Sequence, residues 1–243
     1  MITLMLFLVF DFRGIAIIEG YHIIEGAHRG SSISYGENTI PAFKAAIADP
    51  SYKFIEFDIQ YSKDKKIVVA HDYSLFRLHA YPVFISDMDY IDLERFDIPL
   101  YNDVMDLISN KKPVNIEIKP SVDEVILAEE VIKDLKKRGL INNVMISSIS
   151  EDLIKYLSKN RPEIKTGIIY MVTPATYIPD DEVIDEFYTN VEATGADYLM
   201  LHGTNLKNED LLIKKKSADI TLAFWYFSDK IFILKKGNMG KLW

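Results

Sequence analysis

Short β-rich runs alternate with helix-like stretches along nearly the whole chain, and this alternation limits the fold more than any other feature. The runs are HIIEGAH (22–28), KFIEFDIQ (53–60), KIVVAHD (66–72), VNIEIK (114–119), NVMISS (143–148), TGIIYM (166–171), DYLML (197–201) and ITLAFWYF (220–227). Between them lie helix candidates at NTIPAFKAAIA (38–48), EVILAEEVIKDLKKRG (124–139) and SEDLIKYLSKN (150–160). The second ends in basic residues and a glycine, as a helix C-terminus does, and Ser150 is placed to cap the third. Asn38, just ahead of TIPAF, reads as an N-cap on the same grounds.

Strands separated by helices form a parallel sheet with crossover connections. Eight such strands close a (β/α)₈ barrel, and 243 residues is close to the ~250 typical of that fold. An open doubly wound sheet is the competitor, but the glycine-rich phosphate turn after its first strand is missing. The expected architecture is therefore a single-domain α/β TIM barrel over 22–243, with its active site at the C-terminal ends of the strands. The stretch 73–99 interrupts the pattern and reads as an irregular excursion. Residues 1–21 form an apolar N-terminal segment. Its run ITLMLFLVF (2–10) is broken by Asp11 and Arg13, short of the ~20 residues that span a bilayer. It also lacks the basic leader and cleavage site of an export signal. It is expected to pack as a cap or lie near a membrane, which favours a cytoplasmic or membrane-associated protein over an exported one.

The net charge of −8 gives no electrostatic footprint for nucleic acid. With no cysteine in the chain, thiolate catalysis, disulfides and cysteine-ligated zinc are excluded. The polar residues at the strand ends gain meaning from the barrel. His28 ends the first run, Glu56 and Asp58 lie late in the second, His71 falls at the end of the third, and Glu117 and Lys119 end the fourth. Residues two apart share a strand face, so Glu56 and Asp58 are neighbours that repel unless a cation, proton or partner intervenes. With Glu117 they form an oxygen-rich set suited to Mg²⁺ or Ca²⁺. The histidines can move protons near neutral pH, and Arg29 and Lys119 can hold phosphate oxygens. Each motif alone has a plain structural explanation in an ion pair or a core histidine. Their joint placement on four successive runs points to phosphodiester cleavage.

The ordered segments AHRGSS, GENTIPAF, IEFDIQYSKDKKIVVAHDYSLFRL and NIEIKP, followed by VMISSIS and LAFWYFS, resemble the glycerophosphodiester phosphodiesterase family over roughly residues 25–228. The resemblance implies that His28 and His71 are an acid/base pair and that Glu56, Asp58 and Glu117 bind one divalent cation. It makes Arg29 and Lys119 phosphate contacts, has Glu37 and Asn38 shape the site, and puts Trp225 against the glycerol or leaving group. The implied reaction is metal-dependent hydrolysis of a small-molecule glycerophosphodiester to sn-glycerol 3-phosphate and an alcohol. Its proposed mechanism uses the glycerol 2-hydroxyl as internal nucleophile, through a cyclic phosphate. WYFS replaces the family's more usual Trp-Thr-Val-Asn-like run, which leaves substrate preference open. A lysophospholipase D-like or sphingomyelinase D-like activity with membrane-surface contact is one alternative, and a non-catalytic phosphodiester-binding barrel is another. His22 and His79 read as structural or surface residues, His202 as an edge of the pocket without a catalytic role, and the lysine runs 214–216 and 235–236 as solvated faces, with weak contact to an anionic membrane as the alternative.

Overall fold

The computed structural model describes residues 20–170, 180–217, 219–237 and 242–243. The apolar run 2–10 lies outside the described residues. Among those described, no helix is long and apolar enough to cross a membrane. The strands are β1 (Tyr21–Ala27), β2 (Phe54–Tyr61), β3 (Ile67–Val69), β4 (Val114–Ile118), β5 (Val144–Ser148), β6 (Lys165–Tyr170), β7 (Tyr198–His202), β8 (Thr221–Trp225) and β9 (Lys230–Lys236). The helices are α1 (Ser32–Tyr35), α2 (Ile40–Ala48), α3 (Phe76–His79), α4 (Tyr90–Leu93), α5 (Tyr101–Ile108), α6 (Glu124–Arg138), α7 (Glu151–Asn160), α8 (Asp180–Thr194) and α9 (Glu209–Lys215).

Eight of the strands close a barrel in the order β1-β2-β4-β5-β6-β7-β8-β9, with β9 returning to β1. The TIM-barrel expectation holds, but two of its wall positions are filled differently from the sequence reading. The run 66–72 is not a third wall strand. It contributes β3, which folds back antiparallel on the end of β2, pairing Val69 with Ile59 and Ile67 with Tyr61. The eighth wall position belongs to β9, which follows β8 through a turn at residues 226–229 and runs antiparallel to both β8 and β1. A four-residue link is too short for a crossover helix, so the chain reverses instead. β9 pairs with β1 over its full length, from Tyr21↔Lys236 to Ala27↔Lys230, whereas β1 meets β2 only at Gly26↔Phe54 and Ala27↔Ile55.

The caps explain where the helices begin. Ser150 accepts from the Leu153 amide at 3.2 Å, and Gly139 closes α6 in the left-handed conformation, both as the sequence indicates. Asn38 does not cap α2; Thr39 does, accepting from the Ala42 amide at 3.2 Å, because the Asn38 side chain is committed to Asp58.

Strand alternation divides the core. Ile55, Phe57 and Ile59 on β2 and Val114, Ile116 and Ile118 on β4 point outward into the helical layer. The intervening residues face the barrel axis. Below the site the axis is filled by Phe54, Met145, Met200 and Ile233, with Trp243 packed edge-on against Phe54 and Tyr198. Gly26 is required there: a Cβ at that position would sit 2.3 Å from the Phe54 ring.

Candidate active site

Residues 54–60 alternate between the helical layer and the axis, so β2 directs Glu56 and Asp58 inward, and β4 does the same with Asn115 and Glu117. In register, Asp58 lies beside Glu117. Ligand oxygens of Glu56, Asp58 and Glu117 all lie within 4.8 Å of one another, and all three residues are buried. Two cations balance them in part. Lys119 Nζ donates to Glu117 Oε1 at 2.6 Å and lies 3.5 Å from Asp58 Oδ1, while Arg29 Nε is 3.5 Å from Asp58 Oδ2.

The consequences for ionisation differ among the three acids. Burial, together with Asp58 and Glu117, pushes the Glu56 carboxyl well above its usual range. Burial also raises Glu117, against the pull of Lys119. At Asp58 burial acts the same way, but Lys119 and Arg29 outweigh it and hold the carboxyl far below its usual range. Glu56 accepts the Arg29 amide through Oε2 at 2.8 Å, and its Oε1 is buried with no partner. An orphaned carboxylate oxygen within a cluster of hard oxygen donors fits a divalent cation such as Mg²⁺ or Ca²⁺.

The loop after β1 is held in a tight conformation. Arg29 and Asn38 both have positive φ, 59° and 57°, a region costly for residues other than glycine. Asn38 N donates to Arg29 O at 3.0 Å, and Asn38 Nδ2 donates to Asp58 Oδ2 at 2.9 Å, so the loop is tied to the carboxylate cluster.

Two histidines face the same space. The backbone amide of His28 donates to Asp229 O at 2.9 Å, and Nδ1 lies 3.0 Å from Ser228 O. A carbonyl can only accept, so Nδ1 carries the proton and Nε2, 3.8 Å from Glu56 Oε2, is the basic nitrogen. Burial and the neighbouring Arg29 lower the His28 pKa to about 4, so the imidazole is neutral at pH 7. His71 is delivered by the return of β3, which brings Ala70 N to Asp58 O at 3.0 Å. Its Nδ1 meets Asp72 Oδ1 at 2.7 Å. Arg77 then holds Asp72 Oδ2 at 2.5 Å and grips Glu37 with both terminal nitrogens, and Glu37 also accepts from Arg29 at 3.2 Å.

These groups open onto one cavity of about 480 Å³, lined by His28, Arg29, Glu56, His71, Glu117 and Lys119 on its polar side. Its other wall is apolar, built from Phe84, Ile149, Ile169, Met200 and Trp225. The Trp225 indole N–H is buried without a partner and its ring is 6.3 Å from His28. His202 stacks edge-on against Trp225 at 4.7 Å, at the rim rather than among the reacting groups.

All ten residues singled out from the sequence therefore belong to one connected assembly. Sequence reasoning gave no role to Asp72, which holds His71, and passed over Arg77, which holds Asp72, and Asn115, whose Oδ1 accepts from Ser147 while Nδ2 is buried without a partner. The alternation Asn115-x-Glu117-x-Lys119 does mark Asn115 as inward-facing. Arg77 lies in an excursion without periodicity and carries no such signal.

The Glycerophosphoryl diester phosphodiesterase family matches residues 28–231. A glycerophosphodiester phosphodiesterase of Caldanaerobacter subterraneus subsp. tengcongensis is 33% identical over 161 residues, which cover 59% of this chain and 65% of that protein. Among solved structures, the glycerophosphodiester phosphodiesterase of Thermotoga maritima superposes with a TM-score of 0.64 at 29% identity, covering 84% of this chain and 85% of its own. An Oleispira antarctica phosphodiesterase, solved in complex with the product sn-glycerol-3-phosphate, shares the fold at 21% identity and a TM-score of 0.62, with 82% of each chain covered.

Proposed function

The chain belongs to the glycerophosphoryl diester phosphodiesterase family, and we propose that it hydrolyses glycerophosphodiesters to sn-glycerol 3-phosphate and an alcohol. The observation that carries this reading is the convergence of a neutral His28, an Asp72-bound His71 and a carboxylate cluster with an orphaned oxygen on one cavity. Glu56, Asp58 and Glu117 would hold a divalent cation, which supplies positive charge to the phosphate and lowers the cost of charge building up on it. Arg29 and Lys119 orient the non-bridging oxygens. His28 Nε2 takes the proton of the attacking hydroxyl, since its Nδ1–H is fixed on Ser228 O. His71, aligned through Nδ1 by Asp72, gives a proton to the departing alcohol oxygen, and water then adds to the cyclic phosphate left by the glycerol hydroxyl and opens it to sn-glycerol 3-phosphate. The product complex of the Oleispira antarctica protein is in keeping with this substrate class.

The test is release of sn-glycerol 3-phosphate from glycerophosphocholine by the purified chain, its loss on chelation, and its loss in His28→Ala and His71→Ala. Each histidine is expected to account for about 10²–10⁴ in kcat. Full activity in both variants rejects the assignment, and tight binding without turnover in the presence of Mg²⁺ and Ca²⁺ selects a non-catalytic barrel. A second reading is favoured by the apolar wall of the cavity, which exceeds what a small polar alcohol needs: hydrolysis of lysophospholipids with the same groups. A higher kcat/KM on acylated than on deacylated substrates selects it.

A further inference from the structure

The turn at residues 226–229 holds His28 in two places, and the sheet accounts for one of them. Asp229 O, which accepts the His28 amide, continues the ladder that ends at Ala27↔Lys230. Ser228 O, which fixes the Nδ1 proton, lies one residue further out. No strand pairing sets the plane of that carbonyl, because the last pair between β8 and β9 is Trp225↔Ile231. A carbonyl free to turn would leave the imidazole without a fixed tautomer.

The Ser228 carbonyl and the Asp229 N–H share one planar peptide unit, so holding Asp229 holds the carbonyl. The Asp229 side chain is buried, and the Tyr52 hydroxyl donates to its Oδ2 at 3.2 Å. Burial and the adjacent Asp229 charge push the Tyr52 phenol up, so it keeps its proton and is the donor. Tyr52 precedes β2, is buried, and belongs to the same apolar cluster outside the wall as Ala27, Phe43 and Ala46. Its backbone is pinned as well: Lys112 Nζ donates to Tyr52 O at 2.5 Å, and Lys53 N donates to Glu25 O at 2.7 Å. The Ser31 side chain bonds the same phenol from the loop that carries Arg29. Tyr52 therefore ties together the two segments that flank His28, the loop after β1 and the turn before β9. It does not line the cavity.

We infer that Tyr52 is a positioning residue for the reaction. Its hydroxyl holds the Asp229 side chain, which sets the Ser228 carbonyl, which keeps the proton on His28 Nδ1 and leaves Nε2 free to act. The role rests on His28 being the base of the proposed hydrolysis, but the hold on the imidazole exists with or without turnover. Losing it costs orientation and not binding. Arg29, Lys119 and the three carboxylates keep their contacts, so kcat should fall while KM stays.

The experiment compares wild type with Tyr52→Phe, Asp229→Ala, the double variant and Asp229→Asn on glycerophosphocholine in saturating Mg²⁺, well below the melting temperature of each. It also records the His28 Nδ1–H proton resonance at pH 7, identified by its absence from His28→Gln. Tyr52→Phe should lower kcat about tenfold with KM within about twofold of wild type. Asp229→Ala should do the same, and the double variant should lose no more than either alone, because both break one bond. Asp229→Asn keeps an oxygen for the hydroxyl and should recover most of kcat. The Nδ1–H resonance, sheltered on Ser228 O in wild type, should broaden in Tyr52→Phe through exchange with water. A Tyr52 that serves stability alone would lower the melting temperature and leave kcat and the resonance as they were; that result overturns the proposal. A rise in KM at constant kcat, or losses in kcat that multiply in the double variant, also overturns it. Tyr52→Phe removes one oxygen and keeps the ring, so it decides the matter even where Asp229→Ala does not fold. A wild type that releases no sn-glycerol 3-phosphate, yet whose Nδ1–H resonance broadens in Tyr52→Phe, counts against the hydrolytic assignment alone.

Discussion

Replacing Glu56 by Gln should stabilise the cation-free protein, and a divalent cation should shrink or reverse that advantage. In the cation-free protein burial, Asp58 and Glu117 hold the Glu56 carboxyl well above the ordinary 4.5. A raised acid pKa contributes stability below the unfolded value, and that contribution is lost as pH rises toward the folded one. At pH 7 the cost cannot exceed that of protonating an ordinary carboxyl, (7 − 4.5) × ~1.36, or about 3 kcal/mol. Gln keeps an acceptor for the Arg29 amide and carries no charge, so the cation-free variant should be more stable by up to that amount. At ~2–4 °C per kcal/mol for a chain of this size, the gain in Tm is at most about 12 °C. With Mg²⁺ or Ca²⁺ at a hundredfold excess over Kd, the wild type gains about 2.7 kcal/mol, or ~5–10 °C, while the variant has lost a ligand and gains little. Thermal unfolding of both proteins, in chelator and in saturating cation, measures all four values. The chelator gap should narrow as pH falls toward 4.5. A variant less stable than wild type in chelator, or a wild-type Tm that neither cation moves, would refute the reasoning.

Gly26→Ala drives a methyl into the Phe54 ring, with only 2.3 Å available, and should cost about 1–3 kcal/mol in urea unfolding, with partial recovery on adding Phe54→Leu. Arg77→Met removes the clamp joining Asp72 to Glu37 while leaving both histidines and all three carboxylates in place. It should lower kcat about tenfold with little change in Tm; an unchanged kcat would show that Asp72 needs no support. His28, with its pKa lowered to about 4 by burial, binds its proton more readily in the unfolded chain. Its contribution to stability is intact above about 6.5 and declines as pH falls toward about 4. Relative to His28→Gln, the wild type should lose ~2–3 kcal/mol between pH 7.5 and 4.5 by chemical denaturation, and parallel profiles would contradict this.

The barrel was legible because its runs are covered on both faces and bounded by capped helices: Gly139 and Ser150 end and start α6 and α7 where the residue types say they should. The carboxylate and histidine positions were legible for the same reason, since strand alternation alone directs Glu56, Asp58 and Glu117 to one side. What periodicity could not reveal was strand direction. KIVVAHD has the composition of a wall strand, yet β3 doubles back; the local sign of this is the gap 61–65 ahead of it, too short for a crossover helix, and not the pattern of the run itself. IFILKK carries a strand pattern but follows β8 too closely for the expected crossover, and only its pairing with β1 gives it a wall position. Asn38 shows a different limit. Asn and Thr in sequence are both good caps, and the choice was made by Asp58, twenty residues away, which draws the amide for itself.

The closing strand ties the site to the order in which the chain can assemble. Its pairing joins Tyr21 to Lys236, near the two ends of the described chain, and such contacts are slow to form because the entropy of closure comes before the reward. The turn that precedes β9 also supplies both carbonyls that hold His28, from Ser228 and Asp229. An intermediate with seven wall strands in place could already gather Glu56, Asp58 and Glu117, because they need only β2 and β4. It would leave His28 without the carbonyls that orient it. Metal affinity should therefore appear during refolding before activity does, and the lag between them would time the closing of the ring.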